Sequence, residues 1–119
     1  MQNKRSLGTE KEELAVSYLT GQKADLLARN FYFRGGEIDL IAKDGGYVCF
    51  IEVKYRKSNR FGAPEESVTL AKQKKIIQGA RYFLYKNNYP TDTPCRFDVI
   101  SVYGEEISWI KDAFSVNNW

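Results

Sequence analysis

The sequence predicts an α/β domain in which one layer of sheet is covered by helices. Three observations predict it. The hydrophobic pattern changes period along the chain, reading helix, three strands, helix, two strands. A length of 119 residues with 43% hydrophobic residues suits one domain, residues 1–119, with a real core. Asp44-Gly45-Gly46, a strong hairpin signal, sits between two alternating runs near the middle of the chain. There is no internal repeat and no linker long enough to divide the chain.

From about Gly8 to Thr20, residues Leu14, Ala15, Tyr18 and Leu19 recur at helical spacing, and Thr9 with Glu12 has the pattern of a capping box. Ala24 to Phe33, rich in aliphatic and aromatic residues, predicts a strand that Arg34-Gly35-Gly36 ends. Glu37 to Lys43 and Tyr47 to Tyr55 predict two more strands, paired through the Gly45-Gly46 turn. Ser58 to Pro64 is a polar loop. Thr69 to Asn87 predicts a helix with Ile76, Ile77, Ala80, Phe83 and Leu84 on its apolar side. After a loop from Asn88 to Pro94, Arg96 to Tyr103 and Ile107 to Ile110 predict two final strands joined through Gly104.

Composition excludes much chemistry. The chain has no histidine, so Ser-His-Asp and Cys-His nucleophile systems and imidazole metal sites are ruled out. Two cysteines, Cys49 and Cys95, cannot supply four thiolates, and both are expected to be reduced. Catalysis would have to run on carboxylates, lysine, hydroxyls or an ion held by oxygen ligands. Any activity change between pH 6 and 8 would then trace to metal-bound water, a perturbed lysine or a crowded carboxylate. No secretory pattern follows Met1 and no apolar run approaches the ~20 residues of a membrane span, so the expected location is the cytoplasm, without a membrane partner.

The hairpin places the informative residues. With Gly45 and Gly46 as turn residues, Asp44 faces Tyr47, Asp39 faces Glu52, and Glu37 faces Lys54. Strand alternation puts these last four on one side and Ile38, Leu40, Ile51 and Val53 on the other. Opposed residues have Cβ atoms ~4.5–5.5 Å apart, where like charges repel. Either one carboxyl takes up a proton or a cation sits between them. Oxygen ligands suit Mg²⁺ or Mn²⁺. Such an ion beside Lys54 is a workable arrangement for phosphodiester hydrolysis. The plainer alternative is a Glu37–Lys54 ion pair, with Asp39 and Glu52 exposed on a solvated face. Ile41, Val48 and Phe50 share that face and weigh against it.

The strings Gly36-Glu37-Ile38-Asp39-Leu40-Ile41-Ala42 and Phe50-Ile51-Glu52-Val53-Lys54 resemble the PD-(D/E)XK nuclease superfamily, which places Asp on one strand and Glu-x-Lys on the next. The nearer resemblance is to the YraN-like family of small bacterial proteins, also called UPF0102. It extends over Gly8 to Glu12, Ala15, Tyr18-Leu19, Ala28-Arg29-Asn30, Phe61-Gly62 and Arg96 to Ile100, nearly the whole chain, with Lys11 where the pattern has Gly. The resemblance implies a restriction-endonuclease-like α-β-β-β-α-β core with a central mixed sheet flanked by helices. It implies that Asp39, Glu52 and the Val53 carbonyl hold the metal, that Glu12 is a further ligand, and that Lys54 orients water and stabilises developing charge. Glu37 and Gln73 would be supporting residues. For Glu12 the capping box with Thr9 stays an open alternative, as does the Lys54 pairing for Glu37. Asp98 matches a family position, with Arg96 a neighbouring partner for it.

Residues Glu52 to Arg81 hold eight basic and three acidic residues, a net +5, against −2 for the rest of the chain. Arg56, Lys57, Arg60, Lys72, Lys74 and Lys75 are therefore candidates to hold a nucleic-acid backbone, with Tyr55 and Phe61 able to stack on bases. The expected function is a Mg²⁺- or Mn²⁺-dependent endonuclease acting on nucleic acid, with structured or branched DNA as the expected substrate. A homodimer would suit cleavage of two strands. The alternatives are a nucleic-acid-binding module of the same fold that does not cleave, and a protein-interaction domain.

Overall fold

The sheet grows outward from the Gly45-Gly46 turn. The computed structural model describes residues 4–57 and 67–116, with side chains from Glu10 onward. Strands β2 (Gly36–Asp44) and β3 (Tyr47–Arg56) meet at this turn. Gly45 has φ +60°, a conformation a glycine adopts without strain. The pairs run Asp44/Tyr47, Lys43/Val48, Ala42/Cys49, Ile41/Phe50 and Leu40/Ile51, the expected register. Strand β1 (Asp25–Phe33) pairs antiparallel with β2. Strand β4 (Cys95–Tyr103) lies parallel to β3, and β5 (Glu106–Phe114) returns antiparallel along β4. The result is a five-stranded mixed sheet in sequence order.

The helices cover opposite faces. Helix α1 (Lys4–Gly21) brings Ala15 and Leu19 onto Leu40, Ala42, Cys49, Ile51, Val53, Ile100 and Val102. Helix α2 (Leu70–Lys86) is the crossover that makes β3 and β4 parallel. It buries Ile76, Ile77, Ala80 and Phe83 against Ile41, Val48, Phe50, Phe97 and Val99. The α-β-β-β-α-β order is therefore observed, with one further strand. No described helix is long and apolar enough to cross a membrane.

Local chemistry sets the ends of α2. Thr69 is its N-cap and accepts from the Lys72 N–H at 3.2 Å. At the other end Asn88 takes φ +61°, Tyr89 N–H donates to the Leu84 carbonyl and Asn88 N–H to the Tyr85 carbonyl. That is a Schellman motif with Asn in the left-handed position.

Three expectations need correction or refinement. Helix α1 begins at Lys4, so Thr9 lies inside it and cannot be the N-cap paired with Glu12. Gly8 weakens a helix interior without ending it. Strand β5 runs on to Phe114 rather than stopping at Ile110. Its register with β4 slips between Phe97/Phe114 and Val99/Ile110, and Asp112 takes φ +56°. The bulge leaves the Asp112 N–H to donate to Asp98 Oδ1 at 2.9 Å. Finally, Cys49 lies in the core beneath α1 and Cys95 packs against the core beneath α2, so the two thiols are free and on opposite faces of the sheet. The loop from Ser58 to Pro64, with Arg60 and Phe61, lies outside the described residues.

One contact seats the β1–β2 turn on α2. A methyl group at Gly79 would fall 2.7 Å from Phe33 Cδ1 and 2.8 Å from Cζ. Alanine favours a helix by about 1 kcal/mol over glycine, whereas overpacking costs about 1–3 kcal/mol. Gly79→Ala is therefore expected to destabilise the protein by about 1–2 kcal/mol in urea denaturation. In a Phe33→Leu background, the same change should be neutral or stabilising. A loss of equal size in both backgrounds would place the cost elsewhere.

Candidate active site

Alternation along β2 misses a beat at Asp39. Ile41 and Ile38 both lie in the core beneath α2, whereas Leu40 and Ala42 lie beneath α1. On β1, Ala28, Arg29 and Phe31 pair with Ile41, Leu40 and Ile38, and Asn30 opposite Asp39 takes φ +51°. The two strands kink together. On its other side β2 pairs with β3 only as far as Leu40/Ile51. Beyond that point the Val53 N–H donates to Asp39 Oδ2 at 2.8 Å. Asp39 thus lies in the gap between two diverging strands and not on one face.

This corrects the expected geometry. The four charged residues do not share a side. Glu52 keeps the alternation of Val48 and Phe50 toward α2, where Lys72 Nζ lies 3.7 Å from its Oε2. Glu37 is drawn toward α1. The Asn30 amide, with its nitrogen turned inward, donates to Glu12 Oε1 and Glu37 Oε1, both at 2.8 Å. The Glu37–Lys54 ion pair, the plainer alternative for these residues, does not form among the described residues. Asn30 belongs to the Ala28-Arg29-Asn30 stretch of the family resemblance, which assigned it no role, and asparagine tolerates its positive φ.

Glu52 is not a surface carboxylate. It is 7% exposed, and its Oε2 is buried with no hydrogen-bond partner. At 3.7 Å the Lys72 ammonium is an electrostatic neighbour, too long for a hydrogen bond. Burial, then the charge of Asp39 and a hydrogen bond between the two carboxyls, push Glu52 up to about 7. Burial also raises Glu12 and Glu37, with Asp39 the next cause for each. Tyr55 is pushed up to about 12 by burial and then by Glu12, Asp39, Glu52 and Glu37. These residues therefore share one strongly negative field.

The donor set fits a hard divalent cation. Asp39 and Glu52 are adjoining carboxylates, and an orphaned buried oxygen on Glu52 has no protein donor. No three acidic side chains among the described residues close around one point. Glu12 is bridged through Asn30 to Glu37 and lies within the field of Asp39. Two carboxylates suffice for Mg²⁺, which keeps several waters and takes further oxygens from a phosphate. Val53 is buried and gives its N–H to Asp39. Lys54 is half-buried on the same strand, two residues from Glu52. Its charge is felt at Glu52.

The remaining expected residues divide. Gln73 donates to the Val68 carbonyl at 3.0 Å and so supports the start of α2. Lys72 faces Glu52, while Lys57, Lys74 and Lys75 are exposed and Arg56 is half-buried. Asp98 and Arg96 do pair, at the hairpin end of the sheet. Asp98 is 0% exposed and accepts from Arg96 Nε at 3.0 Å, Arg96 Nη2 at 3.0 Å and Trp109 Nε1 at 2.8 Å. Arg96 also reaches Asp44 at 2.8 Å and lies over the Tyr47 and Trp109 rings. This cluster is fully satisfied and structural.

Comparison with known proteins agrees with the sequence pattern. Residues 11–102 match the model of "Uncharacterised protein family UPF0102". A "UPF0102 protein" of Lachnoclostridium phytofermentans is 48% identical over 94% of this chain and 95% of its own length. One from Saccharophagus degradans is 44% identical over 92% and 93%. "UPF0102 protein YraN" of Escherichia coli is 45% identical over 93% and 86%. The chain belongs to the UPF0102 family.

The Glu52 environment predicts a pH effect on the metal-free protein. The folded state keeps a proton up to about pH 7 that the unfolded chain releases near 4.5. This contribution to stability is complete below 4.5 and is lost as pH rises through 7. Asp44 is held low by Arg96 and Lys111, so its effect appears only in acid, below 3.8. Urea midpoints in EDTA should therefore fall between pH 5 and pH 8 for wild type. Glu52→Gln should flatten that slope and stabilise the protein at pH 8 by about 1–3 kcal/mol. Parallel pH profiles for the two proteins would contradict the assignment.

Proposed function

We propose that this UPF0102 chain is a divalent-metal-dependent nuclease that hydrolyses phosphodiester bonds of nucleic acid, with structured or branched DNA as the substrate class. The observation that carries the reading is the Asp39–Glu52 pair at the gap between β2 and β3, with one buried Glu52 oxygen left without a donor. Asp39 and Glu52 would hold Mg²⁺ or Mn²⁺. Such an ion, when bound, polarises a phosphoryl oxygen and lowers the pKa of water.

The chain's own residues supply the rest. Lys54 extends from β3 beside Glu52 and provides a fixed positive charge for the developing phosphorane-like oxygens. Asp39 is oriented by the Val53 N–H, so its free oxygen has little rotational freedom. The basic residues of β3 and α2 attract the phosphate backbone toward this end of the sheet. Tyr55 and the Glu12–Asn30–Glu37 bridge wall the α1 side of the site.

One contact favours a second reading, a nucleic-acid-binding module of the same fold that does not cleave. Lys72 places an ammonium 3.7 Å from Glu52, where it partly neutralises the carboxylate. Cleavage assays separate the two readings. Purified protein with Mn²⁺ or Mg²⁺ is expected to cut labelled linear, single-stranded or four-way-junction DNA, and EDTA should abolish this. Asp39→Asn and Lys54→Ala should each lower the rate by about 10²-fold or more. Cleavage that persists in EDTA, or that is unchanged by Asp39→Asn, would overturn the nuclease reading. Salt-sensitive binding without cleavage of any of these substrates would establish the second.

A further inference from the structure

We propose that the outer face of α2, with the β1–β2 turn beside it, is a track for single-stranded nucleic acid leading to the Asp39–Glu52 site. The inference rests on the nuclease reading and names the form in which the substrate strand is held. Helix α2 carries Lys72, Lys74, Lys75, Arg81 and Lys86 and no acidic residue. The adjoining turn adds Arg34. A helix whose own charged residues are all cationic is complementary to a polyanion, and one end of it is already at the site, where Lys72 meets Glu52.

The aromatic residues on this face point to single strands. Tyr85 is 81% exposed and Tyr32 is 71% exposed, far more than a core function requires. Tyr82 stands between them, braced by the Phe31 ring at 6.0 Å and with Lys86 Nζ 5.9 Å from its own centroid. Two hollows flank the exposed face of the helix. One of about 280 Å³ lies between Tyr32, Arg34, Gln78 and Tyr82, and one of about 600 Å³ lies beside Arg81, Tyr85 and Tyr89. Positions 78, 82 and 85 recur at helical spacing and form a continuous stripe. From Lys72, at the edge of this face, to Tyr85 the helix runs roughly 20 Å.

The chemistry favours an unpaired strand. Tyrosine faces between cations are the parts of a stacking platform, which any base can use because every base has a flat π-face. Bases in a duplex are stacked on each other and cannot lie on Tyr32 or Tyr85. Tyrosine and arginine also occur at protein interfaces, but a helix whose charged residues are all cationic favours a polyanion.

Fluorescence anisotropy in EDTA tests this without cleavage. The probes are a labelled oligothymidylate and a duplex of the same length. Tyr85→Ala and Tyr32→Thr should each weaken oligothymidylate binding about ten-fold and duplex binding less than two-fold. Tyr85→Phe, which keeps the ring, should bind like wild type. Arg81→Gln should reduce the slope of log K against log salt by about 0.7. Thermal melts confirm folding, and two variants on different elements guard against one local collapse. Single-strand affinity unmoved in both tyrosine variants, or an equal loss on duplex, would overturn the track. Tyrosine-dependent binding in a protein that never cleaves supports the track and defeats only the nuclease reading. Metal-dependent cleavage with tyrosine-independent binding defeats only the track.

Discussion

The hydrogen bond from the Val53 N–H to Asp39 Oδ2 joins β2 to β3 at the level where their own pairing has ended. A charge-assisted bond of this kind contributes about 1.5–3 kcal/mol, more than an ordinary backbone bond. It lets the strands diverge without leaving a buried donor unsatisfied. The divergence in turn places the Asp39 carboxylate in the plane of the sheet, between the layer beneath α1 and the layer beneath α2. Everything at the site is arranged about that gap: Glu52 and Lys72 on one side, Glu12, Asn30 and Glu37 on the other.

Two buried carboxylates in one small sheet illustrate opposite uses of the same group. Asp98 is enclosed by Arg96, Trp109 and the Asp112 N–H, so its charge is fully compensated and it locks β5 onto β4. Glu52 is nearly as buried, yet one oxygen has no donor and its neighbour is another carboxylate. Such a site costs stability in the metal-free protein. It is a poor way to build a sheet and a reasonable way to recruit a cation.

The hairpin and its register were legible in the sequence because Gly45-Gly46 and the largely apolar run from Val48 to Val53 admit one pairing, whereas the mixed sheet came only from the family resemblance. The identities of Asp39 and Glu52 as neighbours were legible for the same reason. Their directions were not. Both faces of the sheet are covered, so Ile38 and Leu40 are apolar whichever way they point, and the missed beat between them leaves no trace in the pattern. The Asn30 bridge depends on a backbone kink that sequence does not specify. The bulge in β5 hid the strand beyond Ile110, since Lys111 and Asp112 break alternation while Asp98 satisfies the backbone they leave unpaired.

The buried, donor-poor Asp39–Glu52 pair has a purpose if the two carboxylates together hold an ion. Isothermal titration of Mn²⁺ into the wild-type protein and into Glu52→Gln addresses this before any substrate is chosen. One site per chain is expected in the wild type, with affinity at least ten-fold weaker in Glu52→Gln, the variant remaining folded by thermal melt. Equal Mn²⁺ affinity in the two proteins, or no binding to either, would contradict the account.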